Sequence, residues 1–417
     1  MDKLKKHLTY TNIFILISGM GLFLFFIIDF FLYGTIFNNA LMGSDYQFSD
    51  FFYHIAFSTD RKNLFQISSK ACFPPLSYCL YYFLWRINPY YTDAIGNSDW
   101  EGYKNADNAL TIFVVYNMII VVLLLYSIQQ YKKSGLKYQV ILPTILLLSY
   151  PFMATSIQRG NAVVLVAILL CISCVWRNDK SKIKREAAMI LIAISAGFKV
   201  YPAILGVQYI KEKRIKEAVR LLIYGVVLFF GPFVFFGGIE GFLALSRTFL
   251  MLGNATGNLG TVRGMTGYLL GKYSSMPDET VLAIAVIAEI IFLISSCVCF
   301  FLTKEGWKEK LFLCGILAVY IPSSWMYTSV YFILPLLEFV SEKDIPIQKD
   351  VSTLCTTILF AFIFTLPVYF IYLPGGITEG VFLAAFALII VNMMETYCVR
   401  TMSMVKAHRD EKKIKGK

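Results

Sequence analysis

The sequence predicts an all-α polytopic membrane protein, and three observations carry that expectation. The chain of 417 residues is 57% hydrophobic and only 16% charged, too few polar side chains to cover a water-soluble domain. Its apolar residues fall in runs, among them 13–28, 281–302 and 381–394, close to the length of about 20 residues that crosses roughly 30 Å of hydrocarbon. In that layer the backbone must satisfy its own hydrogen bonds, which long apolar runs do as helices. Finally, the net charge of +11 sits mostly in short segments between apolar runs, which is the positive-inside pattern of membrane proteins rather than a nucleic-acid surface.

The elements follow from these runs and charges in order. Lys3, Lys5 and Lys6 place the N-terminus in the cytoplasm, and the first span, about 12–37, has no small-residue cleavage pattern and reads as a signal anchor. Basic clusters at 132–137, 177–185, 211–220, 304–310 and 400–417 are expected to be cytoplasmic. One crossing, 109–131, then fits before the first cluster, so residues 38–108 form a first outer loop. Within it, 74–87 opens with two prolines and is rich in Tyr and Trp, as suits a helix lying in the interface. Spans follow at 138–157 and 161–177.

Residues 187–210 lie between two basic clusters, so an even number of crossings separates them. That segment is too short for two spans and is broken by Gly197, Lys199 and Pro202. A re-entrant pair of short helices meets both conditions, and broken backbone at that depth should line a cavity. Further spans are expected at 219–237, 281–303, 309–324, 327–340, 351–372 and 377–399, with a second outer loop at 238–280 and a basic cytoplasmic tail at 400–417. The whole is one transmembrane domain, 1–417, of about 10 full transmembrane helices, with both termini cytoplasmic and, by its short inner loops, in the plasma membrane. Two sizeable outer loops imply an extracytoplasmic working surface.

Other classes fit less well. No internal repeat marks the halves of a secondary transporter. Cys171 and Cys174 form a CxxC inside an apolar run without a second pair, which argues against a metal or redox centre. A lipid-linked polysaccharide polymerase or ligase is the nearer alternative, but it would rely on arginines rather than on an Asp directly after the first span.

Several polar residues stand out against the apolar background. Asp45 and Asp50 follow the first span, with His54 one helical turn beyond Asp50. A carboxylate there can act as a general base, hold a divalent metal or cap a helix. Gln158-Arg159-Gly160-Asn161 forms a tight turn between spans. Its Arg159 suits a phosphate, and equally an interfacial anchor. Lys199, in mid-segment beside Tyr201 and Pro202, is costly to bury and marks either a phosphate contact or an ion pair with Asp29, Glu289 or Glu395. The stretch 254–267, rich in Gly, Asn and Thr, contains Arg263 and allows close backbone approach to a ligand, without Walker or Rossmann spacing. Its Asn254-Ala255-Thr256 is formally a glycosylation sequon. Trp325 and Tyr327 suit an aromatic belt or a platform for a sugar ring.

Taken in order, these pieces resemble the polytopic glycosyltransferases of the GT-C superfamily, and most closely family 87. Asp50-Phe51-Phe52-Tyr53 resembles that family's acidic–aromatic segment after the first span, and Phe73-Pro74-Pro75-Leu76 its YPPL-like segment. Gln158–Asn161 resembles its GQxN turn with the order of Gly altered. Gly197–Pro202 is similar to its Lys-containing broken segment, Gly257–Gly264 to a GNxS-like stretch, and Pro322–Trp325 to a Pro-x-Ser-Trp segment. After that Trp the family often has His, where this chain has Tyr327 and Thr328.

The resemblance implies a GT-C fold and an inverting transfer of a hexose, mannose first among candidates, from a polyprenyl-phosphate sugar. The acceptor would be a lipid-linked or cell-envelope glycan, or another glycolipid, at the outer face of the bilayer. Asp50, or Asp45 in its place, would be the catalytic base, and Arg159, Lys199 and Arg263 would hold the donor phosphate. His54, Asn161, Tyr201, Trp325 and Tyr327 would contact substrate. No cofactor is required by such chemistry: a divalent metal is compatible with it, but none is predicted and no metal ligands are assigned. No nucleic-acid partner is expected.

Overall fold

The computed structural model describes residues 8–35, 47–67, 70–93, 100–131, 133–253, 259–320, 326–348, 350–365 and 376–415. Asp45, Trp325, the Asn254–Thr256 sequon and Lys3, Lys5 and Lys6 lie outside them. The described chain is helical throughout, its one β contact being an isolated bridge between Thr9 and Pro346. The main helices are α1 (Tyr10–Phe31), α2 (Ser49–Thr59), α3 (Pro75–Ile87), α4 (Ala109–Gln129), α5 (Val163–Trp176), α6 (Lys182–Phe198) and α7 (Ile215–Phe230). They continue as α8 (Gly238–Gly253), α9 (Val262–Tyr273), α10 (Asp278–Leu302), α11 (Gly306–Gly315), α12 (Ile333–Glu342), α13 (Val351–Ile363) and α14 (Gly376–Lys415).

Five described helices are long and apolar enough to cross a membrane: α1, α4, 215–234 (α7 with its following turn), α10 and the 380–403 part of α14. A bent pair, Lys137–Leu148 with Tyr150–Gln158, makes a sixth if taken as one span. The other predicted spans are shorter or broken apolar helices. The reason is visible in their surroundings. α5, α11 and α12 are almost wholly buried, so protein rather than lipid solvates them and they need not match the bilayer thickness. α1, α4, α7 and α10 instead present rows of exposed apolar side chains, such as Phe23, Ile119, Leu222 and Ile291, as a lipid-facing surface does.

α3 has 13 residues, roughly 20 Å at 1.5 Å per residue, short of a span. It packs on α2, α6 and α7. α6 is a single helix that ends where the sequence breaks: Lys199 is extended, with φ −146° and ψ 127°, and the chain turns back through Tyr201–Gly206 and Val207–Lys211. The two ends of this hairpin meet. Arg177 Nη2 lies 3.0 Å from Glu212 Oε1, and Arg214 donates to Asn178 Oδ1 at 3.0 Å. Gly197 lets the helix approach its neighbours, since a Cβ there would stand 2.6 Å from Leu76 Cδ2 on α3 and 3.3 Å from the Leu228 carbonyl on α7.

Candidate active site

The turn 158–161 is built by two local constraints. The bent segment ends in a wide turn, Met153–Gln158, and Gly160 then adopts φ +62°, which a residue without Cβ does at least cost. This aims two carbonyls at α2. The Phe48 N–H donates to Gln158 O at 2.6 Å and the Phe51 N–H to Arg159 O at 3.2 Å. Phe48 itself takes φ 60°, an uncommon conformation for a side chain of that size. The N-terminal turn of α2 is thus zipped to the turn, and its dipole favours the acidic residue placed there, Asp50.

The side chains complete the junction. Asn161 Nδ2 donates to Asp50 Oδ2 at 2.7 Å, while Asn161 Oδ1 accepts from the N–H of Val163, the first residue of α5, at 3.0 Å. Arg159 Nη1 stands 3.8 Å from Asp50 Oδ1 and donates to Ser49 Oγ at 3.4 Å. Both Arg159 and Asp50 remain about one-fifth exposed, whereas Asn161 is 1% exposed.

The second wall comes from the hairpin break. Lys199 is 8% exposed, and its Nζ lies 3.5 Å from the centroid of the Phe73 ring, a cation–π contact. It has no ion-pair partner among the described residues. Glu289 pairs with Arg263 at 2.5 Å, and Glu395 with Lys308 at 2.6 Å, so two of the three carboxylates considered for Lys199 are held elsewhere. Asp50, Lys199 and the Cys72 thiol lie close enough to interact electrostatically. Tyr327 is within the same reach of Asp50, Arg159 and Tyr201, and its carbonyl accepts from Thr155 at 3.0 Å. Tyr201 meets Tyr331 edge-on at 6.3 Å.

His54 sits behind this cluster. Its ring lies 3.9 Å from that of Phe73, Nδ1 is 3.2 Å from the Tyr78 hydroxyl, and the side chain is 5% exposed. Burial, helped by the Lys199 charge, pushes its pKa well below the ordinary 6.5, so the imidazole is neutral at physiological pH.

The structure therefore brings Asp50, Arg159, Asn161, Lys199, Tyr201 and Tyr327 to one region with His54 in its wall. Arg263 has different neighbours: Nε donates to Glu289 Oε2 at 2.9 Å and Nη1 to the Gly253 carbonyl at 2.8 Å, which ties α9 and the end of α8 to α10. Thr328, at a position where His was expected from the resemblance, donates to the Ala318 carbonyl at 2.9 Å. Sequence reasoning assigned no role in the site to Ser49, Cys72 or Phe73, although Phe73 opens the segment compared with the YPPL-like motif. Phe73 had a signal in its place before the two prolines. Nothing local marks Cys72 or Ser49, whose neighbours come from elsewhere in the chain. Among the described residues, no three His, Cys, Asp or Glu side chains gather as metal ligands.

Comparison with known proteins bears on the same region. No curated protein and no solved structure matches the chain. A sequence model of glycosyltransferase family 87 matches residues 105–328, just over half of the chain. The matched part holds the 158–161 turn, the Lys199 break and Tyr327. Asp50 precedes it and is joined to it by the Asn161 hydrogen bond. An all-helical membrane fold and a family match over more than half its length, which takes in the 158–161 turn and the Lys199 break, place this chain in glycosyltransferase family 87.

Proposed function

We propose that this glycosyltransferase is an inverting enzyme that moves a hexose, mannose first among candidates, from a polyprenyl-phosphate donor to a glycan or glycolipid acceptor on the outer face of the plasma membrane. One observation carries the reading. A carboxylate held by the 158–161 turn through Asn161 lies within electrostatic reach of a buried lysine that has no ion-pair partner among the described residues.

In a single displacement, Asp50 takes the proton of the acceptor hydroxyl as its oxygen bonds to the sugar C1. The bond from C1 to the phosphate oxygen breaks, and its electron pair leaves with the lipid phosphate. Lys199 and Arg159 stabilise the charge that develops on that group. The re-entrant reading of 187–210 is supported by the meeting of Arg177 with Glu212 and of Asn178 with Arg214. Two basic clusters thereby share one end of the bundle, the cytoplasmic one by the positive-inside rule, and Lys199 stands at the far tip of the hairpin. Arg263 is assigned no direct role in this scheme, because Glu289 holds it.

The test uses purified full-length protein in nanodiscs, radiolabelled polyprenyl-phosphate mannose and octyl glycosides as acceptor probes. Loss of a general base costs about 10²–10⁴-fold, so Asp50→Asn is expected to abolish measurable transfer while insertion and melting temperature are kept. Transfer at the wild-type rate in that variant removes the central assignment.

A further inference from the structure

We propose that Asn161 is a positioning residue that acts through Asp50: it saturates one carboxylate oxygen, Oδ2, and leaves Oδ1 as the atom that receives the acceptor's proton. The inference rests on the reading of Asp50 as the base and assigns Asn161 a role other than substrate contact.

Three observations carry it. Asn161 is 1% exposed, so a substrate has almost no surface to touch. Both ends of its amide are in use, Nδ2 donating to Asp50 Oδ2 at 2.7 Å and Oδ1 accepting from the Val163 N–H at 3.0 Å. The amide is therefore fixed in orientation by the first turn of α5. Finally, the two oxygens of Asp50 are unlike each other. Oδ2 holds a short charge-assisted bond, whereas the nearest cation to Oδ1 is Arg159 Nη1 at 3.8 Å, beyond hydrogen-bond range. No described residue donates a hydrogen bond to Oδ1.

The consequence is geometric. The bond from Asn161 to Oδ2 restrains rotation about the Cβ–Cγ bond, so Oδ1 stays the oxygen that no described residue occupies with a hydrogen bond. In the transfer step the acceptor O–H proton passes to Oδ1, the acceptor oxygen bonds to C1, and the donor phosphate leaves with the electron pair of the broken C1–O bond. Asn161 exchanges no proton.

The experiment compares Asn161→Asp and Asn161→Ser with wild type, using the same donor and octyl glycoside probes across a pH series. Asn161→Asp keeps an oxygen to accept from the Val163 N–H but replaces the donor with a second carboxylate beside Asp50. The acidic limb of its rate–pH profile is expected to move up by about one unit or more. Asn161→Ser, too short to reach Oδ2, is expected to lose about ten- to a hundredfold in kcat with donor KM unchanged. If Asn161→Asp fails to fold, Asn161→Ser decides the question by the same split of kcat against KM. An acidic limb that stays in place while a substrate KM rises makes Asn161 a substrate contact and overturns the proposal. So does a wild-type rate and profile in both variants. The two readings separate cleanly: full activity in Asp50→Asn fails the base assignment, whereas an inactive Asp50→Asn with unchanged Asn161 variants fails only this inference.

Discussion

Lys199 is buried at a helix break, with its Nζ over the face of Phe73. A desolvated cation–π contact contributes about 2 kcal/mol, less than the several kcal/mol it costs to take one ion out of water. The resting site thus leaves a cation under-compensated, which is the condition in which an arriving phosphate gains most. Lys199→Met is expected to raise the KM for polyprenyl-phosphate mannose by about tenfold or more. The melting temperature should hold or rise, because an apolar side chain of similar length replaces a buried charge. Titrating donor against wild type and variant in nanodiscs checks this. A lowered melting temperature with unchanged KM would instead assign Lys199 to the scaffold. Its importance was legible from the sequence, because a lysine between apolar runs is conspicuous. Its Phe73 neighbour was not, since 126 positions separate them.

At the scale of elements, the site depends on one turn meeting one helix end. Gly160 has φ +62°, and a Cβ there would lie 2.7 Å from both Phe113 Cε2 and Phe51 Cβ. An alanine pays the left-handed penalty of about 1–2 kcal/mol and about 1–3 kcal/mol for overpacking. Gly160→Ala should therefore lower stability by about 2–5 kcal/mol. It should reduce transfer further than the loss of folded protein explains, because Arg159 and Asn161 move with the turn. Melting curves beside kcat per folded molecule measure the two effects separately, and a rate that merely follows the folded fraction overturns the coupling. The turn and the broken segment at Gly197–Pro202 were both readable as irregularities in apolar runs. The zipping of the turn onto α2 through Phe48 and Phe51 was not, because backbone hydrogen bonds to a distant loop leave no mark in residue type.

For the whole molecule, buried helices α5, α11 and α12 pack among longer helices with exposed apolar faces, and His54 and Lys199 of the polar cluster are buried with them. Enclosure sets how the fold responds to pH. His54 holds its proton only well below pH 6.5, because burial and the Lys199 charge disfavour imidazolium. Between that lowered value and 6.5 the unfolded chain binds a proton that the fold does not. Stability from this group is therefore complete above 6.5 and is lost as the pH falls below it. Melting temperatures in detergent should drop between about pH 7 and pH 5, and His54→Phe should shrink that drop. An equal drop in the variant would rule out His54 as its source.

By itself the sequence determined the solvent and the class of fold. Apolar runs demand lipid and helices, and a charged residue at a Gly/Pro break declares a polar interior. These are properties of composition and local order, which one dimension records. The tertiary structure alone decided which groups meet: Asn161 with Asp50 across 111 positions, Arg263 with Glu289 instead of the cluster, and both ends of the Lys199 hairpin together. A hydrogen bond depends on distance and angle in space, and those are fixed by how the helices pack rather than by any residue's neighbours in the chain.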